Sequence, residues 1–121
     1  MENTVVWFDI PVKNLDRAMA FYRKVMGVEL AKMDGAPVPA AFFPFAPGIA
    51  SGTLIESHDR APSDQGTTVY LNGGPDLAAP LSQVEAAGGK VLQPKTAIGE
   101  HGYIGYFRDS EGNRVGIHSR H

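Results

Sequence analysis

The chain opens on an alternation of apolar and polar positions. From Val5 to Val12, the residues Val6, Phe8, Ile10 and Val12 fall on one side, and Trp7, Asp9 and Pro11 on the other. That period of two predicts a strand with one apolar face. The period then lengthens. Asn14 is a residue type that caps helices, because its side-chain oxygen accepts from free backbone N–H groups one turn on. After it, Leu15, Ala18, Tyr22 and Val25 recur at helical spacing, with Asp16, Arg17, Arg23 and Lys24 on the polar side. Gly27 stands where a helix commonly leaves through a left-handed residue. Three shorter strand-like runs follow, Val28 to Met33, Ala40 to Phe45 and Gly52 to Ser57, divided by proline- and glycine-rich stretches.

The same order then repeats. Residues 58–66 are polar, contain Pro62 and read as a linker. Thr67 to Asn72 is expected as a strand, and Asp76 to Ala87 as a helix ended by Gly88-Gly89. Lys90 to Gln93, Tyr103 to Arg108 and Arg114 to Ser119 are expected as further strands. A turn at Asp109-Ser110-Glu111-Gly112-Asn113 joins the last two as a hairpin. Pro80 conflicts with a helix interior, so either the second helix starts there or its opening turn is irregular. A shift of 62 residues lays Leu15 on Leu77, Gly27 on Gly89 and Leu30 on Leu92, the same structural events in both halves. A period this long indicates a duplicated supersecondary unit. The expected fold class is α+β, with tandem β-α-β-β-β modules in one domain over residues 1–121. Module one covers about 4–57, the linker 58–66 and module two about 67–119.

Composition narrows the function classes. At 121 residues the chain can bury one core. A net charge of −2 gives no basic field for a phosphate backbone, so nucleic acid is not expected as a partner. The absence of cysteine excludes disulfides, thiol nucleophiles and cysteine metal sites. The start has no basic, then apolar leader pattern, and no stretch approaches 18 apolar residues, so the expectation is a soluble, cytoplasmic protein without membrane contact. No phosphate-cradling glycine motif and no G-x-S-x-G elbow occurs.

Four segments carry a resemblance. Ile10-Pro-Val-Lys-Asn-Leu-Asp-Arg-Ala-Met-Ala-Phe-Tyr22, Val25-Met-Gly-Val-Glu-Leu30, Ala86-Ala-Gly-Gly-Lys-Val-Leu92 and Phe107-Arg-Asp-Ser-Glu-Gly-Asn-Arg-Val-Gly-Ile-His118 resemble, in order, the opening strand and helix, the two helix exits and the closing hairpin of the vicinal oxygen chelate superfamily. That group includes glyoxalase I, the bleomycin-resistance proteins and the extradiol dioxygenases. The resemblance implies curved mixed sheets around a cavity, helices on the outside, and a homodimer. It puts Phe8, Ile10 and Val12 under the helix and turns Trp7 and Asp9 to the cavity.

Metal-using members of that superfamily place His, Glu or Gln ligands on the first and last strand of each half. Carried over, those positions fall on Trp7, Thr68 and Gly116, with Glu56 as the only conceivable ligand on the remaining strand. Trp7 and Gly116 offer no donor and a threonine hydroxyl is a weak neutral one, so no metal and no other cofactor is expected. The alternative is a displaced site for a divalent metal such as Zn, Ni, Fe or Mn, built on Asp9 and His118 with Glu56 or His101 as third ligand. Asp9 and His118 could also form a general-base pair, or simply hydrogen-bond each other or the backbone. Glu100-His101 lies in a loop bounded by Gly99 and Gly102, beside the expected cavity mouth. Among the aromatics, Trp7, Phe43, Phe45, Tyr70, Tyr103 and Tyr106 are spread over both halves, and alternation forbids Tyr103 and Tyr106 one face. The expected ligand contacts are Trp7, Asp9, Tyr70, His101, Tyr103 and His118. Two functions compete: a metal-free module binding an apolar or aromatic small molecule, and a glyoxalase-like lyase or isomerase using the displaced metal.

Overall fold

The computed structural model describes Val5 and residues 7–121. Residue 4, where module one was expected to begin, and Val6 of the first apolar face lie outside them. The opening alternation becomes β1 (Trp7–Pro11). Asn14 Oδ1 then accepts from Arg17 N at 3.0 Å and starts α1 (Leu15–Met26). Gly27, at φ 67°, ends the helix, with its N–H on Arg23 O. β2 (Ala31–Lys32), β3 (Ala40–Phe42) and β4 (Ser51–Ile55) complete a sheet in the order β1-β4-β3-β2, with β1 and β4 parallel. The second half supplies β5 (Tyr70–Asn72), α2 (Ala78–Leu81), β6 (Lys90–Ala97), β7 (Tyr103–Arg108) and β8 (Arg114–Ser119). Their order, β5-β8-β7-β6 with β5 and β8 parallel, repeats the first sheet. The fold is α+β, with two mixed four-stranded sheets that do not close on each other.

Several elements depart from expectation for local reasons. The second helix is one turn long instead of running from Asp76 to Ala87. Pro80 cannot donate a helical hydrogen bond, and the bonds beyond it mix three- and four-residue spacings: Gln83 N to Pro80 O, Val84 N to Leu81 O, Ala87 N to Gln83 O. The left-handed exit residue is Gly88, at φ 102°, one position before the Gly89 that the 62-residue shift lays on Gly27. The run expected from Ala40 to Phe45 stops at Phe42, two residues before Pro44. The strand expected over Lys90 to Gln93 instead continues through Pro94 to Ala97. It is an edge strand with register shifts between Val91 and Gln93 and between Gln93 and Thr96, where a proline is tolerated. Gly99–His101 forms a 3-10 turn.

One core spans both halves. α1 buries Leu15, Ala18, Phe21, Tyr22 and Val25, and each large side chain so placed contributes about 1.5–3 kcal/mol. Phe21 meets Phe107 of β7 at 6.0 Å, so the first helix packs on the second half's sheet as well as its own. The β7–β8 turn locks this junction with buried polar groups. Tyr22 Oη donates to Asp109 Oδ2 at 2.6 Å, while Asp109 Oδ1 accepts from Glu111 N and Asn113 N. Asn113 donates to Pro11 O and accepts from Ser63 N in the linker. Glu111 accepts from Lys13 N, Asn14 N and the Arg17 guanidinium, and so covers the start of α1.

Candidate binding crevice between the sheets

Register decides which side chains leave the core. In β1 and β4, Phe8, Ile10 and Leu54 turn to the helix side and are half-buried or buried, whereas Trp7, Asp9 and Thr53 share the opposite, concave face. Trp7 Nε1 donates to Thr53 Oγ1 at 3.0 Å, and the indole meets Phe42 and Phe45 edge-on at 5.9 and 6.1 Å. The indole keeps 40% of its surface exposed. In the second sheet Tyr70, Tyr106, Arg114, Gly116 and His118 share the corresponding face. Tyr70 and Tyr106 are hydrogen-bonded through their hydroxyls, and the Arg114 guanidinium lies 4.1 Å from the Tyr106 ring centroid. The Tyr70 phenol is pushed above its ordinary pKa, first by that hydrogen bond and then by partial desolvation, against the pull of Arg114.

Between the two faces runs a crevice of about 490 Å³ lined by Trp7, Asp9, Thr67, Thr68, Val69 and Tyr70 among others. That volume is in the range of small-molecule sites. A second hollow, of about 270 Å³, shares Asp9, Thr67 and Val69 with it and continues to Arg60 and Arg114. The two hollows are neighbours with those three wall residues in common.

The structure brings some of the expected site residues together and separates others. Trp7, Asp9 and Tyr70 line the crevice. His118 lines a neighbouring hollow beyond Tyr70. Its Nε2–H donates to the His101 carbonyl at 2.7 Å, so the backbone of His101, not its exposed side chain, makes the contact. Tyr103 lies on the other face, packed against the core with Lys95 over its ring at 4.5 Å. Alternation with Tyr106 indeed separates the two. Asp9 and His118 do not bond each other. Asp9 pairs with Arg60 at 2.6 Å, and His118 uses the backbone.

The metal positions can be tested in the same way. Trp7 presents a ring whose only polar group is a donor. Gly116 is roofed by Tyr70: a Cβ there would fall 2.5 Å from Tyr70 Cδ1, so the aromatic ring fills the space a ligand side chain would need. Glu56 turns toward the helix, where Oε2 accepts from Leu15 N at 2.8 Å. The expected alternative of Asp9, Glu56 and His118 is therefore not assembled. Among the described residues no three His, Asp or Glu side chains gather as a metal would require. These residues do not fit the usual metal centre. Sequence reasoning overlooked Arg60 and Arg114. The signal for Arg114 was present in the alternation, which sets it on one face with Gly116 and His118.

Comparisons with known proteins bear on the fold. Among curated proteins none matches. Solved structures are similar in fold. A glyoxalase/bleomycin resistance protein from Albidiferax ferrireducens superposes with a TM-score of 0.75 at 17% identity, covering 95% of this chain and 97% of that one. The fosfomycin resistance protein FosX from Listeria monocytogenes gives 0.71 at 15% identity, over 100% and 93%. Glyoxalase I from Zea mays gives 0.67 at 20% identity over 93% of this chain, which spans only 43% of that longer one. Residues 4–117 match the family model for the Glyoxalase/Bleomycin resistance protein/Dioxygenase superfamily, and the chain belongs to that family.

Proposed function

We propose that the protein binds an apolar or aromatic small molecule in the crevice between β1 and β5, with Trp7 as the stacking surface and without the family's metal centre. The observation that carries this reading is aromatic surface at the crevice, Trp7 on β1 and the Tyr70 ring over Gly116, where the family resemblance implies ligand side chains. A half-exposed indole fixed by Thr53, and a tyrosine facing the same crevice, form a concave apolar lining with polar tips. The fosfomycin and bleomycin resistance relatives show that the family includes resistance proteins, and sequestration of a compound is the activity we assign here. The working form we expect is a homodimer, supported by the family and by Phe45 and Ile49, which one copy leaves exposed. No helix among the described residues is long and apolar enough to cross a membrane.

The test is calorimetric titration with a neutral bicyclic probe, naphthalene-2-carboxamide, before and after dialysis against chelator. Binding is expected in both cases. Trp7→Ala should weaken it up to about tenfold, since an aromatic pair contributes about 0.5–1.5 kcal/mol. A bound divalent ion at one per chain whose removal abolishes binding would overturn the reading, as would an unaffected Trp7→Ala variant.

A further inference from the structure

The two neighbouring hollows differ chemically. Trp7 marks the apolar one, and the shared walls Asp9, Thr67 and Val69 lead from it to Arg114. The charged groups nearest Arg114 in the hollow and across the ladder are paired. Asp9 is matched by Arg60 at 2.6 Å, and Arg108 by Asp64 at 2.9 Å. Arg114 is different. Among the described residues no carboxylate lies within ion-pair distance of it, and its guanidinium rests on the Tyr106 ring.

That placement has a cost. Arg114 stands directly opposite Arg108 across the β7–β8 ladder, and like charges so placed destabilise a sheet. Asp64 relieves Arg108, but among the described residues no carboxylate does the same for Arg114. Stacking on Tyr106 fixes the plane of the guanidinium and leaves its edge, with the N–H fork, free to donate. A planar carboxylate matches that fork with two parallel charge-assisted hydrogen bonds.

We propose that the crevice selects flat aromatic molecules that bear a carboxylate, the ring lying on Trp7 and the carboxylate meeting Arg114. This rests on the binding function proposed above and adds its specificity. The link between the two groups is Asp9, two residues along β1 from Trp7, which lines one hollow with Trp7 and the other with Arg114.

Two probes that differ only in charge separate the claims: naphthalene-2-carboxylate and naphthalene-2-carboxamide, each titrated calorimetrically into the wild type, Arg114→Gln and Arg114→Lys. The wild type should bind the carboxylate about tenfold more tightly than the amide, the size of a charge-assisted hydrogen-bonded pair. Arg114→Gln should erase that preference, with the carboxylate falling to the affinity of the amide. It should melt no lower than the wild type, because removal of the charge relieves Arg108. Arg114→Lys should keep the charge but lose the planar fork, and so retain only part of the preference. Equal binding of the two probes by the wild type, or a preference that survives in Arg114→Gln, would overturn this proposal and leave the crevice reading standing. No binding of either probe would overturn both.

Discussion

Two groups of polar side chains lie at opposite extremes in this molecule. At the junction of the halves, Tyr22, Asp109, Glu111 and Asn113 are buried, and each oxygen of Asp109 and Glu111 meets two or more donors or a charged one. On the concave face, Asp9, Arg114, Tyr70 and Tyr106 are open to water and hold few partners. The first group is complete without a ligand. The second keeps hydrogen-bonding capacity that water meets and that the proposed ligand would take over. The hairpin motif shared with the family therefore belongs to the architecture, whereas the binding we propose belongs to the open face that carries Trp7 and Tyr70.

The sharpest way to break that contrast is to remove the centre of the closed group. Asp109→Ala would strand the Tyr22 hydroxyl, two backbone N–H groups and one donor of Asn113 in the core. Unsatisfied buried groups cost about 1–3 kcal/mol each, partly relieved by water, so a loss of about 3–5 kcal/mol is expected in urea unfolding. A loss below 1 kcal/mol would show that the junction does not hold the halves together.

The same contrast governs what could be read from sequence. α1 was legible because its cap, stripe and exit glycine are local. β7 and β8 were legible to the residue, because their alternation is flanked by turn residues. α2 was not: both outcomes that Pro80 allowed kept a helix on to Ala87, whereas the helix ends at Leu81 and mixed three- and four-residue hydrogen bonds follow. In the site, Trp7 and Asp9 followed from alternation once one face was known to be apolar. Glu56 did not: its partner, the N–H of Leu15, is 41 residues away in sequence, and no periodicity announces a carboxylate turned onto a helix start. His118 was placed on the correct strand, but its bond to the His101 backbone depends on a 3-10 turn that the loop's glycines permit without specifying.

A pair of glycines compares the closed and open regions at equal chemistry. A Cβ on Gly52 would fall 2.5 Å from the Phe8 ring, and one on Gly116 2.5 Å from the Tyr70 ring. Phe8 is half-buried, packed against the core and the Phe43 ring at 5.6 Å, so it has less room to move. Tyr70 is 52% exposed and can swing into solvent. Gly52→Ala should cost about 1–3 kcal/mol through overpacking, whereas Gly116→Ala should stay within about 1 kcal/mol of the wild type. In Gly116→Ala the displaced Tyr70 should lose its bond to Tyr106, and its phenol should titrate closer to its ordinary value by ultraviolet absorbance. Equal costs at the two glycines would show that the concave face is as closely packed as the core.

The mildest test uses acid rather than mutation to open the closed group. Burial acts to raise the Glu111 pKa, but Arg17, Ser110 and the N–H groups of Lys13 and Asn14 outweigh it and hold the carboxyl at about 2. A carboxyl lowered in the folded state binds its proton more readily when unfolded. Its stabilisation is therefore complete above the ordinary value of 4.5 and fades as pH falls from there to about 2. The Arg17 side chain is 52% exposed and water screens its share, so the loss over that window should be only about 1 kcal/mol. The Asp59 and Asp76 carboxyls are also lowered, by Ser57 and by the Ala78 N–H, and they add to the acid sensitivity of any variant. The measurement is thus a difference: urea unfolding of the wild type and of Glu111→Gln from pH 6 to pH 2. The wild type should lose about 1 kcal/mol more than the variant. Parallel curves would mean that the junction carboxylate is no better held than those on the open face, and the contrast between the two groups would fail there.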